Sequence, residues 1–240
     1  MVIWRRPPGP ERREADSAGL VGAGCVVALL AVRNVSEVAL PDPAYVPTNV
    51  ALGAALVAVA RRAGSSWEHL GLARRHVRQG LAVGAVAASA AAAGMVVAAA
   101  LPWTRGLFDD ERVPADASGR QRLYQTALRI PVGTAAFEEM AFRGVLLALL
   151  RRRLRLGAAI AVNSALFGLW HIVPTLATAR ANGIVGMGRV GLVIGSVVTT
   201  AVGGAVFCAL RLRGRHLVAP ALLHIAFNDT GYLLAWWLRH

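Results

Sequence analysis

The chain has 240 residues, is 56% hydrophobic and carries a formal net charge of +13, with a mean hydropathy of +0.52. Ordinary soluble domains are about 45–50% apolar, and charged residues make up only 16% here. Because the apolar residues come in runs rather than in alternation, the composition excludes an ordinary soluble domain and reads as an all-α, polytopic integral membrane protein.

Crossing a bilayer core takes about 20 apolar residues. Residues 1–16, rich in Pro and Arg, read as a disordered cytoplasmic tail. Seven candidate spans follow, at 17–32, 44–60, 80–102, 123–150, 157–179, 190–210 and 217–238, and a count of six to eight fits the pattern. The first resembles the core of a signal peptide, but no A-x-A-like site follows it, so it reads as an uncleaved helix. Between the second and third spans, 65–79 (SSWEHLGLARRHVRQ) is too polar to cross. With Trp67, Leu70 and Leu72 among basic residues, it reads as an amphipathic helix on the cytoplasmic interface. The division is a tail (1–16), N-terminal helices (17–122) and a C-terminal membrane core (123–238). Cys25 and Cys208 form neither a CxxC pair nor a zinc spacing and read as small buried hydrophobes. The Ala and Gly runs of 84–100 and 201–205 suit close helix packing.

All 26 basic residues counted with Lys are Arg, and most sit in short clusters between apolar runs. That placement marks cytoplasmic loops, not a nucleic-acid surface, which needs a soluble face. With the N-terminus in the cytoplasm, 16 Arg fall in inner segments (around 5–13, 61–78, 151–155 and 211–215) and eight in outer ones, including Arg33, Arg180 and Arg239. The alternation supports an odd number of spans. All-Arg usage with abundant Ala, Val and Gly points to a GC-rich bacterial genome, and so to a bacterial plasma membrane.

Two Arg remain, Arg129 and Arg143, on the fourth span with Glu138 and Glu139. A charge at the centre of a spanning helix costs about 2.5–3.5 kcal/mol on insertion scales, so each needs a partner or a purpose. Glu139 and Arg143 are four apart and share a face; Glu138 is turned about 100° away. Pro131 predicts a kink. On the fifth span Asn163, Phe167 and His171 form one stripe, with His171 just before Pro174. On the seventh, His224 and Asn228 share a face and Asp229 follows. Counting roughly 1.5 Å per residue from the nearest Arg cluster puts these groups in one layer, roughly 14–24 Å deep. Converging ionisable groups inside a membrane mark a functional site. One carboxylate and two imidazoles can bind zinc or activate a water. A carboxylate in apolar surroundings serves as a general base, and His or Asn can donate to an oxyanion. The chain has no HExxH and no GxSxG, which favours water as the nucleophile.

EExxxR at Glu138, Glu139 and Arg143, FxxxH at Phe167 and His171, and HxxxN at His224 and Asn228, in this order on three apolar segments, resemble the CPBP family of CAAX-protease and bacteriocin-processing intramembrane enzymes, also called Abi proteins. The resemblance covers roughly 123–238. It implies peptide-bond hydrolysis in the membrane. Glu138 and His171 would activate the water, His224 and Asn228 would stabilise the oxyanion or join a metal site, Glu139 and Arg143 would position Glu138, and Phe167 would wall the site. Two chemistries stay open: a zinc ion held by Glu138, His171 and His224, or a glutamate base without metal. The chain ends shortly after its last motif helix, where prenyl-protein endopeptidases commonly carry another span, so the expected substrate is a hydrophobic peptide or a membrane-protein segment rather than a CAAX protein. Alternatives are a non-catalytic scaffold or bacteriocin-immunity-type protein on the same fold, and a proton-coupled transporter, against which the lack of repeat symmetry counts.

Overall fold

The computed structural model describes residues 22–24, 26–34 and 42–239, and every regular element among them is helical. The tail read at 1–16 and Cys25 lie outside the described residues. The helices are α1 (Gly22–Asn34), α2 (Asp42–Arg62), the short α3 (Trp67–Leu70), α4 (Val77–Ala100), α5 (119–150), α6 (Leu156–Trp170), α7 (Ile172–Ala181), α8 (Gly186–Gly214) and α9 (Val218–Trp237). Four helical stretches are long and apolar enough to cross a membrane: Asp42–Arg62, Arg74–Ala100, Leu156–Ala181 and Gly186–Gly214. α5 carries the buried Glu138, Glu139 and Arg143, and α9 the buried His224.

The outward faces are apolar. On α8, Val190, Ile194, Val198, Val202 and Val206 recur every four residues and are all exposed, a stripe suited to lipid tails. Lipid gives no hydrophobic drive for helix association, so contact rests on close packing and interhelical hydrogen bonds. α9 lies along α4 and α8 along α6. Glycines permit both approaches: a Cβ at Gly84 would stand 2.8 Å from the Ala219 carbonyl oxygen, and one at Gly168 would stand 2.5 Å from that of Val197. Gly168→Leu is therefore expected to cost at least about 1–3 kcal/mol, read as a lowered unfolding midpoint in detergent; an unchanged midpoint would mean that α6 and α8 are not held at this distance.

α5 is not uniformly α-helical around Pro131. Its turns are α-helical at Gly119–Tyr124, Phe137–Glu139 and Leu147–Leu150, and widen to π geometry over Gln125–Ala136, which contains Pro131, and Met140–Leu146. Such widened turns accommodate a missing backbone donor and are frequent at functional sites. The two glutamates lie on the α-helical turn between them.

The Arg-rich segments meet at one end of the bundle. Arg152 donates to the Ala63 carbonyl, Arg211 to those of Glu68 (2.9 Å) and His69 (3.2 Å), and Gln79 to that of Arg213 (2.7 Å). The opposite end gathers the acidic loop: Arg239 donates to the carbonyls of Asp110 (3.1 Å) and Val113 (3.0 Å), and the Asn182 side chain accepts from the Glu111 amide (3.1 Å). Arg33, counted with the outer loops, is instead buried, and its Nε donates to Asn49 Oδ1 at 2.6 Å.

The segment 65–79 is not one amphipathic helix. α3 ends at Gly71, in the left-handed region at φ 73°, and a 3-10 turn, Arg74–His76, leads into α4. Arg211 lies where a Cβ on residue 71 would be, the Gly71 carbonyl accepts from the Leu217 amide (2.9 Å), and Leu70 is fully buried. The segment is docked against α5 and α8. Glu68 anchors it by bonding Arg75, His76 (3.1 Å) and Arg215 (3.1 Å). Hydrogen bonds from Arg75 and His76 hold its carboxyl at about 2, below an ordinary 4.5. A lowered native value contributes stability above the ordinary value and loses it as pH falls through the lowered one. The Glu68 contribution to stability is expected to be complete above about pH 4.5 and to fade between there and about pH 2, read as a fall in the unfolding midpoint that Glu68→Gln lacks; the same pH dependence in Glu68→Gln would contradict the anchor.

Candidate active site

Glu138 and Glu139 are both buried, at 7% and 1% exposure, and face different neighbours. Glu139 Oε1 accepts from Arg143 Nη1 at 3.1 Å and from His224 Nδ1 at 2.8 Å. The pairing expected from the four-residue spacing is thus present, and it extends to an imidazole 85 residues away. Arg143 is fully buried, with its guanidinium 3.9 Å from the Phe167 ring centroid and 4.8 Å from that of Phe207. A cation over aromatic faces is stabilised where water is excluded. The ring of Phe207 in turn stacks on His224 at 5.0 Å.

Glu138 takes a different partner. Its Oε1 accepts from the Trp170 indole at 3.3 Å, while Oε2 is buried with no hydrogen-bond partner and lies 3.8 Å from His224 Nε2. That separation is too long for a direct bond. Because a carboxylate only accepts, His224 Nδ1 carries a hydrogen toward Glu139, and Nε2 faces the Glu138 oxygen.

His171 sits at the junction of α6 and α7. Pro174 has no N–H, so the carbonyl of Trp170, four residues earlier, loses its helical donor. The Asn34 side chain fills the vacancy at 2.6 Å, tying α1 to the residue that holds Glu138. His171 Nδ1 donates to the Phe167 carbonyl at 2.8 Å, which leaves Nε2 as its accepting nitrogen. The Phe167 ring stands edge-on to both imidazoles, 4.7 Å from His171 and 6.2 Å from His224. His171 forms no ion pair with either glutamate; the imidazole beside Glu138 is His224. Asn228 lies one turn beyond His224, half-buried. Asn163, on the same stripe as Phe167, donates to the Phe142 carbonyl at 2.8 Å and braces α6 on α5. Cys208 is buried and donates weakly to Asn163.

Residues 121–229 match the family described as type II CAAX prenyl endopeptidase, Rce1-like. The chain carries an Rce1-like domain. The match takes in every residue of the three motifs, from Glu138 to Asn228. No match was found among curated proteins or among solved structures. The Rce1-like family is a protease family, and with the four long apolar helical stretches it makes this an integral membrane protein.

Within the Rce1-like domain, Trp170 and Phe207 are site residues that sequence reasoning missed. Among the described residues, no group of three or more His, Cys, Asp or Glu side chains is arranged to hold a metal ion. Glu138 and His224 face each other, while Nδ1 of His224 is engaged by Glu139 and Nδ1 of His171 by the Phe167 carbonyl.

Proposed function

We propose that the chain is an intramembrane endopeptidase that hydrolyses a peptide bond of a hydrophobic or membrane-associated peptide with a water activated by Glu138. One observation carries the reading: the buried, unpartnered Glu138 Oε2 facing His224 Nε2 at 3.8 Å. A buried carboxylate oxygen without a donor is costly, and a water between the two groups satisfies both.

Glu138 takes a proton from that water as the oxygen attacks the carbonyl carbon. His224 Nε2 orients the water, and its ring is fixed from behind by Glu139 and Phe207. Asn228 donates to the oxyanion that develops, and His171, through Nε2, accepts from the incoming water or peptide. The proton on Glu138 then passes to the amide nitrogen as the C–N bond breaks, giving a carboxylate and a free amine. Trp170 keeps the attacking oxygen aimed by holding Oε1. Trp170→Phe, which retains the ring and removes the donor, is expected to lower kcat roughly 10-fold or more with KM little changed; an equal rate would remove Trp170 from the account.

The seven spans, an Arg-rich cytoplasmic end and a bacterial plasma membrane belong to the same proposal, supported by the gathering of the Arg clusters at one end of the bundle. Its test is incubation of the detergent-purified chain with proteome-derived hydrophobic peptides, with and without a chelator. Cleavage that survives chelation fits the Glu138 base. Cleavage lost to the chelator and restored by zinc would replace it with a metal site on Glu138, His171 and His224.

A further inference from the structure

A cavity of about 210 Å³ opens at the Arg-rich end of the bundle, away from the glutamates. It is lined by three guanidinium side chains, Arg151, Arg152 and Arg211, by His69, and by the apolar Leu147 and Leu212 at the ends of α5 and α8. None of the residues lining it is acidic. Arg211 is only 7% exposed, and its Nε is buried without a partner; its Nη2 is fixed by the carbonyls of Glu68 and His69. Arg151 and Arg152 are exposed and form no ion pair with a described carboxylate. The neighbouring hollow of about 860 Å³ differs: it contains Glu68, which bonds Arg75 within it.

Three guanidinium groups around one cavity repel one another unless an anion joins them. Guanidinium forks match phosphate geometry, and α8, which supplies Leu212, carries the exposed Val198, Val202 and Val206 along its length. Basic pockets between helices at a membrane surface recognise phosphorylated headgroups. We propose that this cavity binds a phosphate group, that of an anionic phospholipid whose acyl chains continue along the exposed Val202 and Val206 face of α8. The site lies apart from Glu138 and is independent of peptidase activity.

The test uses the full chain in detergent and needs no substrate. Native mass spectrometry counts retained phosphatidylglycerol and chain-matched phosphatidylcholine on wild type, Arg151→Glu and Arg211→Gln. Arg151 bonds nothing through its side chain among the described residues, so Arg151→Glu leaves the fold intact, checked by an unchanged melting temperature in phosphatidylcholine. One phosphatidylglycerol is expected on wild type, with retention falling roughly 10-fold or more in Arg151→Glu. A second arm adds inorganic phosphate in lipid-free detergent. Stabilisation of wild type but not of Arg151→Glu, without selective lipid retention, identifies a free phosphate as the source. Equal retention of both lipids, or equal phosphatidylglycerol on wild type and Arg151→Glu, with no effect of inorganic phosphate, overturns the proposal.

Discussion

Glu138→Gln is expected to reduce kcat by about 10²–10⁴ with almost no loss of stability. The substitution keeps the side chain's size. The amide oxygen still accepts from the Trp170 indole, so the contact at 3.3 Å survives. What disappears is the second oxygen's ability to take a proton, and that atom is the one without a protein partner. The neighbouring Glu139→Gln separates position from charge. Glu139 Oε1 holds Arg143 and His224, and its Oε2, although buried without a partner like that of Glu138, is not the oxygen that faces His224 Nε2. Its loss should therefore act on stability and on the orientation of His224 together. If Glu138→Gln cleaved as fast as wild type, the base would have to be sought elsewhere.

The second large effect is on stability. Arg143→Met is expected to cost about 3–5 kcal/mol, because it removes one partner of a buried ion pair and leaves the other uncompensated. Arg143 and Glu139 have side-chain exposures of 0% and 1%, so water does not screen the loss. The double variant Arg143→Met with Glu139→Leu should recover a substantial part, since removing both charges also removes their desolvation cost. Unfolding midpoints in mixed micelles measure all three. Full additivity of the two single losses would show that the pair is not coupled.

How far the sequence reaches can be followed residue by residue. The i, i+4 spacing of Glu139 and Arg143 was enough to predict their bond, because one helix fixes both ends of it. The helical segments were legible for the same reason: length and apolar runs are local properties. His224 reaching Glu139 was legible only as a shared layer, since spacing gives depth along a helix and not which rotamer meets which carboxylate. Trp170 was invisible because an indole in an apolar helix ordinarily reads as packing, and its N–H finds Glu138 only once α6 lies on α5. Asn34 was half legible: Pro174 guarantees an orphaned carbonyl at Trp170, but nothing in the spacing names a donor 136 residues away. At 65–79 the amphipathic pattern is real but does not make one helix. Gly71 in the left-handed region breaks it, and Arg211 binds the freed carbonyls, so the segment is pinned to the bundle through Leu70 while Trp67 and Arg75 stay exposed. The partner of Arg33 was not legible, because counting charges per loop takes no account of a buried acceptor such as Asn49.

The central claim is that a water activated by Glu138 attacks the peptide directly. The most direct measurement is a single turnover of a cleaved peptide in ¹⁸O-labelled water with hydroxylamine present, read by mass spectrometry. The account predicts one ¹⁸O in the new carboxylate, no hydroxamate, no acyl adduct on the chain, and no product from Glu138→Gln. A hydroxamate, a covalent adduct, or labelled product formed equally by Glu138→Gln would contradict it.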